Sequence, residues 1–77
     1  MTKSVFTDRY CLFTQMLIQE RRDKRITQTQ LARMLKKPQS YVSKYENGER
    51  RLDIVEFLEI ADCIGIDAAE FIKKLQA

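Results

Sequence analysis

The chain has 77 residues, 44% of them apolar, with a formal net charge of +3, two cysteines and no histidine. That length reads as one small domain over 1–77 with a thin core. No stretch approaches the roughly 20 apolar residues of a membrane span, and the first ten residues lack a signal-peptide core, so a cytoplasmic protein is expected.

Phe6, Tyr10, Phe13 and Leu17, with Met16 beside them, recur at spacings of three and four, which predicts a first helix from near Val5 to about Asp23. Its aromatic residues are read as packing. Arg21, Arg22, Lys24 and Arg25 crowd its end, where cations complement the negative helix terminus and could equally flank a polyanion. Thr27 is a good N-cap for a short second helix from Gln28 to Leu35, whose apolar stripe is Leu31 and Leu35 with Met34 beside it. Ala32 lies among these residues, where a small side chain lets a neighbouring helix approach closely. A third helix is predicted to begin at Pro38, whose fixed φ suits a first turn, and to run to about Glu46 with Val42 and Tyr45 inward. Gln39, Ser40, Ser43 and Lys44 are left pointing outward, and Asn47-Gly48 ends the segment.

Asp53 caps a fourth helix, in which Ile54, Phe57, Leu58, Ala61 and Ile64 form one apolar face and Gly65 is the stop. Asp67 caps a last helix of about nine residues carrying Phe71, Ile72 and Leu75. No strand signal is present, so the expected fold class is all-α with five helices. Ile64, Ile66, Phe71 and Leu75 are expected to finish the core and to leave a dimerisation patch for a two-fold partner, the alternative being a purely intramolecular last helix. Cys11 and Cys63 lie among apolar neighbours on predicted helices and are read as buried free thiols, with no metal site.

Charge is unevenly spread: residues 1–52 carry 12 Lys/Arg against 5 Asp/Glu, and residues 53–77 carry 2 against 6. Such asymmetry fits a chain with one end on a polyanion and the other on solvent or a partner subunit. Two short helices joined by the basic, proline-marked turn Lys36-Lys37-Pro38 give Thr27 to Gly48 the outline of a helix-turn-helix.

This stretch resembles the helix-turn-helix of the phage-repressor class, the Cro/cI-like (XRE) family of DNA-binding domains. Carrying the resemblance are Thr27-Gln28, Leu31-Ala32, Gln39-Ser40, Val42-Ser43 and Glu46-Asn47-Gly48. The resemblance implies a five-helix, lambda-repressor-like fold and a transcriptional regulator that binds double-stranded DNA. It further implies that Gln28 contacts phosphate and braces Gln39, which reads a base. Lys36 stands where the family often has glycine, Lys37 where it often has an apolar residue, and Pro38 where a serine N-cap is common. A lysine in a left-handed turn costs roughly 1 kcal/mol relative to glycine.

The expected base readers are Gln39, Ser40, Ser43 and Lys44, with Tyr41 either packing on a thymine methyl or sugar or merely covering the helix edge. Thr27, Gln28, Lys36, Lys37, Asn47, Arg50 and Arg51 make up the expected phosphate set, some acting through backbone amides. The simplest task is repression by a homodimer on a palindromic operator. Small members of such a family also act as phage or prophage regulators, as restriction-modification controllers and as antitoxins whose main partner is a toxin or other protein. A helix-turn-helix kept only as an interaction module is a further reading. Without a histidine, a clustered carboxylate pair, a glycine-rich phosphate loop or a nucleophile with its base, the chain is expected not to be an enzyme. No cofactor and no small-molecule ligand are expected.

Overall fold

Side-chain caps written in the sequence start three of the five helices. Thr27 accepts from the Gln30 amide at 3.0 Å while Gln30 Oε1 accepts from the Thr27 amide at 2.8 Å, a reciprocal capping box. Asp53 and Glu56 form a second box, at 2.8 and 2.9 Å, and Asp67 accepts from the Glu70 amide at 3.1 Å. In the computed structural model, which describes residues 8–77, the helices are α1 (Asp8–Asp23), α2 (Gln28–Leu35), α3 (Gln39–Glu46), α4 (Ile54–Ile64) and α5 (Ala68–Gln76). No strand occurs among the described residues. Val5 and Phe6, placed by the periodicity at the start of the first helix, lie outside the described residues.

Four helices stop in the same way. After α1, α2, α3 and α4 one residue turns left-handed (Arg25, Lys36, Gly48 and Gly65, φ 59–85°). The next amide then donates five residues back, from Ile26 to Arg21, Lys37 to Ala32, Glu49 to Lys44 and Ile66 to Ala61. Two of these positions are glycines, which take the conformation freely, and two are cationic residues that do not. Pro38 is the N-cap of α3 and not its first helical residue: its ψ of 153° is extended, and no side chain caps the helix there.

Burial selects the inward face of each element. Leu17, Leu31, Val42 and Ile60 are wholly buried, and Tyr45, Ala32, Phe57, Ala61, Ile64 and Phe71 nearly so. Phe13, Phe57 and Phe71 join α1, α4 and α5 through ring centroids 5.2–5.9 Å apart. Tyr10 packs on Phe13 at 5.3 Å, and its hydroxyl accepts from the Leu52 amide at 3.0 Å, pinning the α3–α4 connection to α1. Lys24 reaches the carbonyls of Ile64 and Gly65 at 3.4 and 3.2 Å, so one member of the basic run after α1 serves the end of α4.

Several side chains sit on the other side of their helices from where periodicity placed them. Ile54 (60% exposed), Leu58 (43%) and Met34 (46%) face outward. Cys11 is exposed, which corrects its reading as a buried thiol. Cys63 is half-buried, and burial with the nearby Asp62 and Glu59 carboxylates pushes its thiol pKa up. No helix among the described residues is long and apolar enough to cross a membrane.

Tyr45 is buried, and its hydroxyl has no hydrogen-bond partner among the described residues. Burial, then the Glu46 carboxylate, raises its pKa far above the ordinary tyrosine value. The phenol is therefore neutral in the fold, whereas an unfolded chain releases that proton from about pH 10, so stability is complete below that value and falls as pH rises past it. Tyr45→Phe is expected to raise stability at neutral pH by up to about 1 kcal/mol and to blunt the alkaline loss, both read from urea midpoints. A clear destabilisation would show that the hydroxyl has a partner, such as an ordered water.

Candidate nucleic-acid interface

The site is built on α2, the turn and α3. Ala32, 2% exposed, lets α2 and α3 approach, while Val42 and Tyr45 fix α3 by its inner face. The outer edge of α3 then presents Gln39, Ser40 and Lys44 to solvent, with Ser43 half-buried and 3.5 Å from the Asn47 amide nitrogen that donates to it. These side chains offer amide, hydroxyl and ammonium groups, which suit base edges.

Beneath that edge runs a chain of hydrogen bonds. Gln39 Nε2 donates to Gln28 Oε1 at 2.7 Å, and Gln28 Nε2 donates to Glu46 Oε1 at 2.9 Å. Arg21 donates to both oxygens of Glu46, through Nε at 2.8 Å and Nη2 at 3.1 Å, and through Nη1 to the Ile26 carbonyl at 2.7 Å. The Arg21 and Glu46 side chains are only 9% and 4% exposed, so this is a buried, doubly bonded pair. The basic run at the end of α1 thus has structural members in Arg21 and Lys24, while Arg22 and Arg25 remain exposed.

Arg21 and Glu46 were not expected to belong to the site. The signal was present, because Arg21 follows Phe13 and Leu17 at intervals of four, and Glu46 follows Val42 by four. A charged residue on the inward stripe of a helix needs a partner, and here each supplies the other's.

Tyr41 is half-buried, with Lys37 Nζ 5.3 Å from its ring centroid, the Arg50 guanidinium at 4.8 Å and the Tyr45 ring edge-on at 5.9 Å. Its place is the helix edge toward α4. Arg50 is bound by Glu56 through two bonds, at 3.1 and 2.7 Å, which raises the arginine pKa and lowers that of Glu56. A phosphate would have to compete with that carboxylate for the Arg50 fork. Arg51 lies over the Tyr10 ring at 4.3 Å and is exposed, as are Thr27, Lys36, Lys37 and Asn47.

The dimerisation expectation is corrected in part. Ile64 and Phe71 are 4% and 3% exposed, sealed in the protomer's own core by the aromatic cluster, and cannot face a partner. Ile66 and Leu75 are half-buried. Exposed apolar surface lies instead at Ile54, Val55 and Leu58, beside a groove lined by Phe13, Leu52, Ile72 and Leu75.

Lys36 adopts φ 59°, ψ 42°, the left-handed geometry that penalises a β-carbon. Lys36→Gly is expected to raise the melting temperature by about 4 °C, equivalent to less than 1 kcal/mol once the extra unfolded-state freedom of glycine is set against the relieved strain. An unchanged or lower melting temperature would show that the lysine side chain offsets its backbone strain.

The sequence model of the Helix-turn-helix family matches residues 17–71, a span that takes in the motif, both members of the buried ion pair and the Arg50-Arg51 connection. Among solved structures, an XRE-family like protein from Pseudomonas syringae pv. tomato str. DC3000 is 44% identical, covers 88% of this chain and 83% of its own, and aligns with a TM-score of 0.86. No curated protein matches.

Proposed function

The chain belongs to the XRE family of helix-turn-helix proteins, DNA-binding transcription regulators and not enzymes, and from that premise we propose that it represses transcription as a homodimer on a near-palindromic operator. The observation that carries the base-reading part is Gln39, held at 2.7 Å by Gln28 at the first turn of α3, so that the side chain meets a groove already oriented. Gln39, Ser40, Ser43 and Lys44 read base edges in the major groove, Gln39 by a paired contact to adenine. Thr27, Gln28, Lys36, Lys37, Asn47 and Arg51 contact the backbone and set register, and Arg50 contributes only where phosphate displaces Glu56. Tyr41 supports Lys37 and Arg50 from the helix edge.

The dimer part rests on the exposed Ile54, Val55 and Leu58, a contiguous apolar surface that a second copy would cover in so small a protein. Two recognition helices related by a two-fold axis would meet major-groove faces roughly 34 Å apart.

Selection of bound duplexes from a random pool, followed by titration of the selected duplex against salt, tests the whole reading. A palindromic consensus with two chains per duplex, and log affinity falling linearly with log salt, is the expected result. Half-site consensus bound by one chain would remove the dimer. Absence of any enriched sequence would remove base reading.

A further inference from the structure

Gln39 lies at the outer end of a relay whose inner end is a buried ion pair, and we infer that Arg21 and Glu46 act as positioning residues that set the polarity of the Gln39 amide, and with it the choice of adenine over guanine at the base pair Gln39 faces. The inference rests on the proposed reading of Gln39 as a base reader.

A carboxylate can only accept hydrogen bonds. Glu46 is held by two donors of Arg21 in a site almost closed to water, so it cannot turn away or exchange its role with solvent. Gln28 must therefore face it with Nε2, at 2.9 Å, which leaves Gln28 Oε1 directed at Gln39. Gln39 meets that oxygen with its own Nε2, at 2.7 Å. Each amide is fixed in sense by the one beneath it. Gln39 is left with one N–H and its Oε1, a donor and an acceptor in a set order.

Adenine presents an acceptor at N7 and a donor at N6, the complement of that order. Guanine presents acceptors at both N7 and O6, so its O6 would meet Gln39 Oε1, acceptor against acceptor. An amide free to turn could instead give its NH2 to guanine. The ion pair touches no base in this scheme, yet its charge pattern is passed outward to the groove.

The experiment takes the duplex best bound by the wild-type protein, changes the adenine under Gln39 to guanine, and reads the ratio of the two affinities. For wild type that ratio is expected to be about tenfold or more, the range of one paired base contact. Glu46 Oε1 accepts from both Arg21 Nη2 and Gln28 Nε2, so a glutamine there could still offer its oxygen to Gln28. The carboxylate is therefore removed together with its partner, as Arg21→Met with Glu46→Leu, which leaves Gln28 free to turn, and the ratio is expected to fall to near one. Adding Gln28→Glu to that pair of substitutions moves the acceptor-only group one step outward. The ratio should then return, even though a carboxylate near phosphate weakens binding to both duplexes.

Gln28→Leu interrupts the relay while leaving Arg21 and Glu46 paired, so it is expected to lower the ratio as well, and it decides the matter if Arg21→Met with Glu46→Leu does not fold. A full ratio retained by Gln28→Leu, or by a folded Arg21→Met with Glu46→Leu, overturns the inference, as does failure of the added Gln28→Glu to restore it. A wild-type protein with no preference at any base pair would remove the base-reading assignment itself, an outcome distinct from a preference that ignores the relay.

Discussion

Glu46→Ala is expected to cost about 3–5 kcal/mol of folding stability, the range seen when one partner of a buried ion pair is removed. The reason is what stays behind. Arg21 is 7% exposed overall and loses two of its three hydrogen-bonded contacts, keeping only the Ile26 carbonyl at 2.7 Å. A guanidinium cannot shed its charge to escape, so the fold must hydrate it or open around it. For a domain of this size each kcal/mol corresponds to about 4–8 °C, so the melting temperature should fall by at least about 12 °C. A loss under about 1 kcal/mol would mean that the pair behaves like an exposed salt bridge and that the end of α1 yields to water. Removing both charges, as in Arg21→Met with Glu46→Leu, should recover most of the stability, because no uncompensated ion remains.

That contact also marks where reading the sequence stopped short. Elements governed by neighbours along the chain were legible: the Thr27, Asp53 and Asp67 caps, the glycine stops at Gly48 and Gly65, and the left-handed Lys36 that stands where glycine would be easier. The outward set of Gln39, Ser40 and Lys44 followed from the burial of Val42 and Tyr45. Arg21 and Glu46 are 25 residues apart, and nothing local pairs them. Helix α4 failed differently. Ile54, Val55, Phe57, Leu58, Ile60, Ala61, Cys63 and Ile64 make it apolar nearly all round, so periodicity alone could not choose which stripe faces the core. The choice was made by the rings of Phe13 and Phe71, which meet Phe57 and leave Ile54 and Leu58 outside. Cys11 and Met34 have the same origin, since an apolar residue beside a stripe can fall on either edge of it.

Gln39→Ala is expected to lose about 1–3 kcal/mol on the preferred operator and to relax the preference at one base pair, while affinity for unrelated duplexes changes little. The separation follows from geometry. Gln39 is exposed at the start of α3 and carries no charge, so its removal takes no cation from the phosphate set and empties no part of the core. Its remaining bond, to Gln28, is made at an exposed edge where water can replace it, so the fold should be nearly unchanged. Melting temperature, operator affinity and affinity for a scrambled duplex at one salt concentration distinguish the outcomes. Equal losses on operator and scrambled DNA would make Gln39 a backbone contact and shift base reading to Ser40, Ser43 and Lys44. A large drop in melting temperature would make the amide a structural part of the turn. Loss confined to the operator, with the salt slope retained, is the result that a base reader braced from beneath requires.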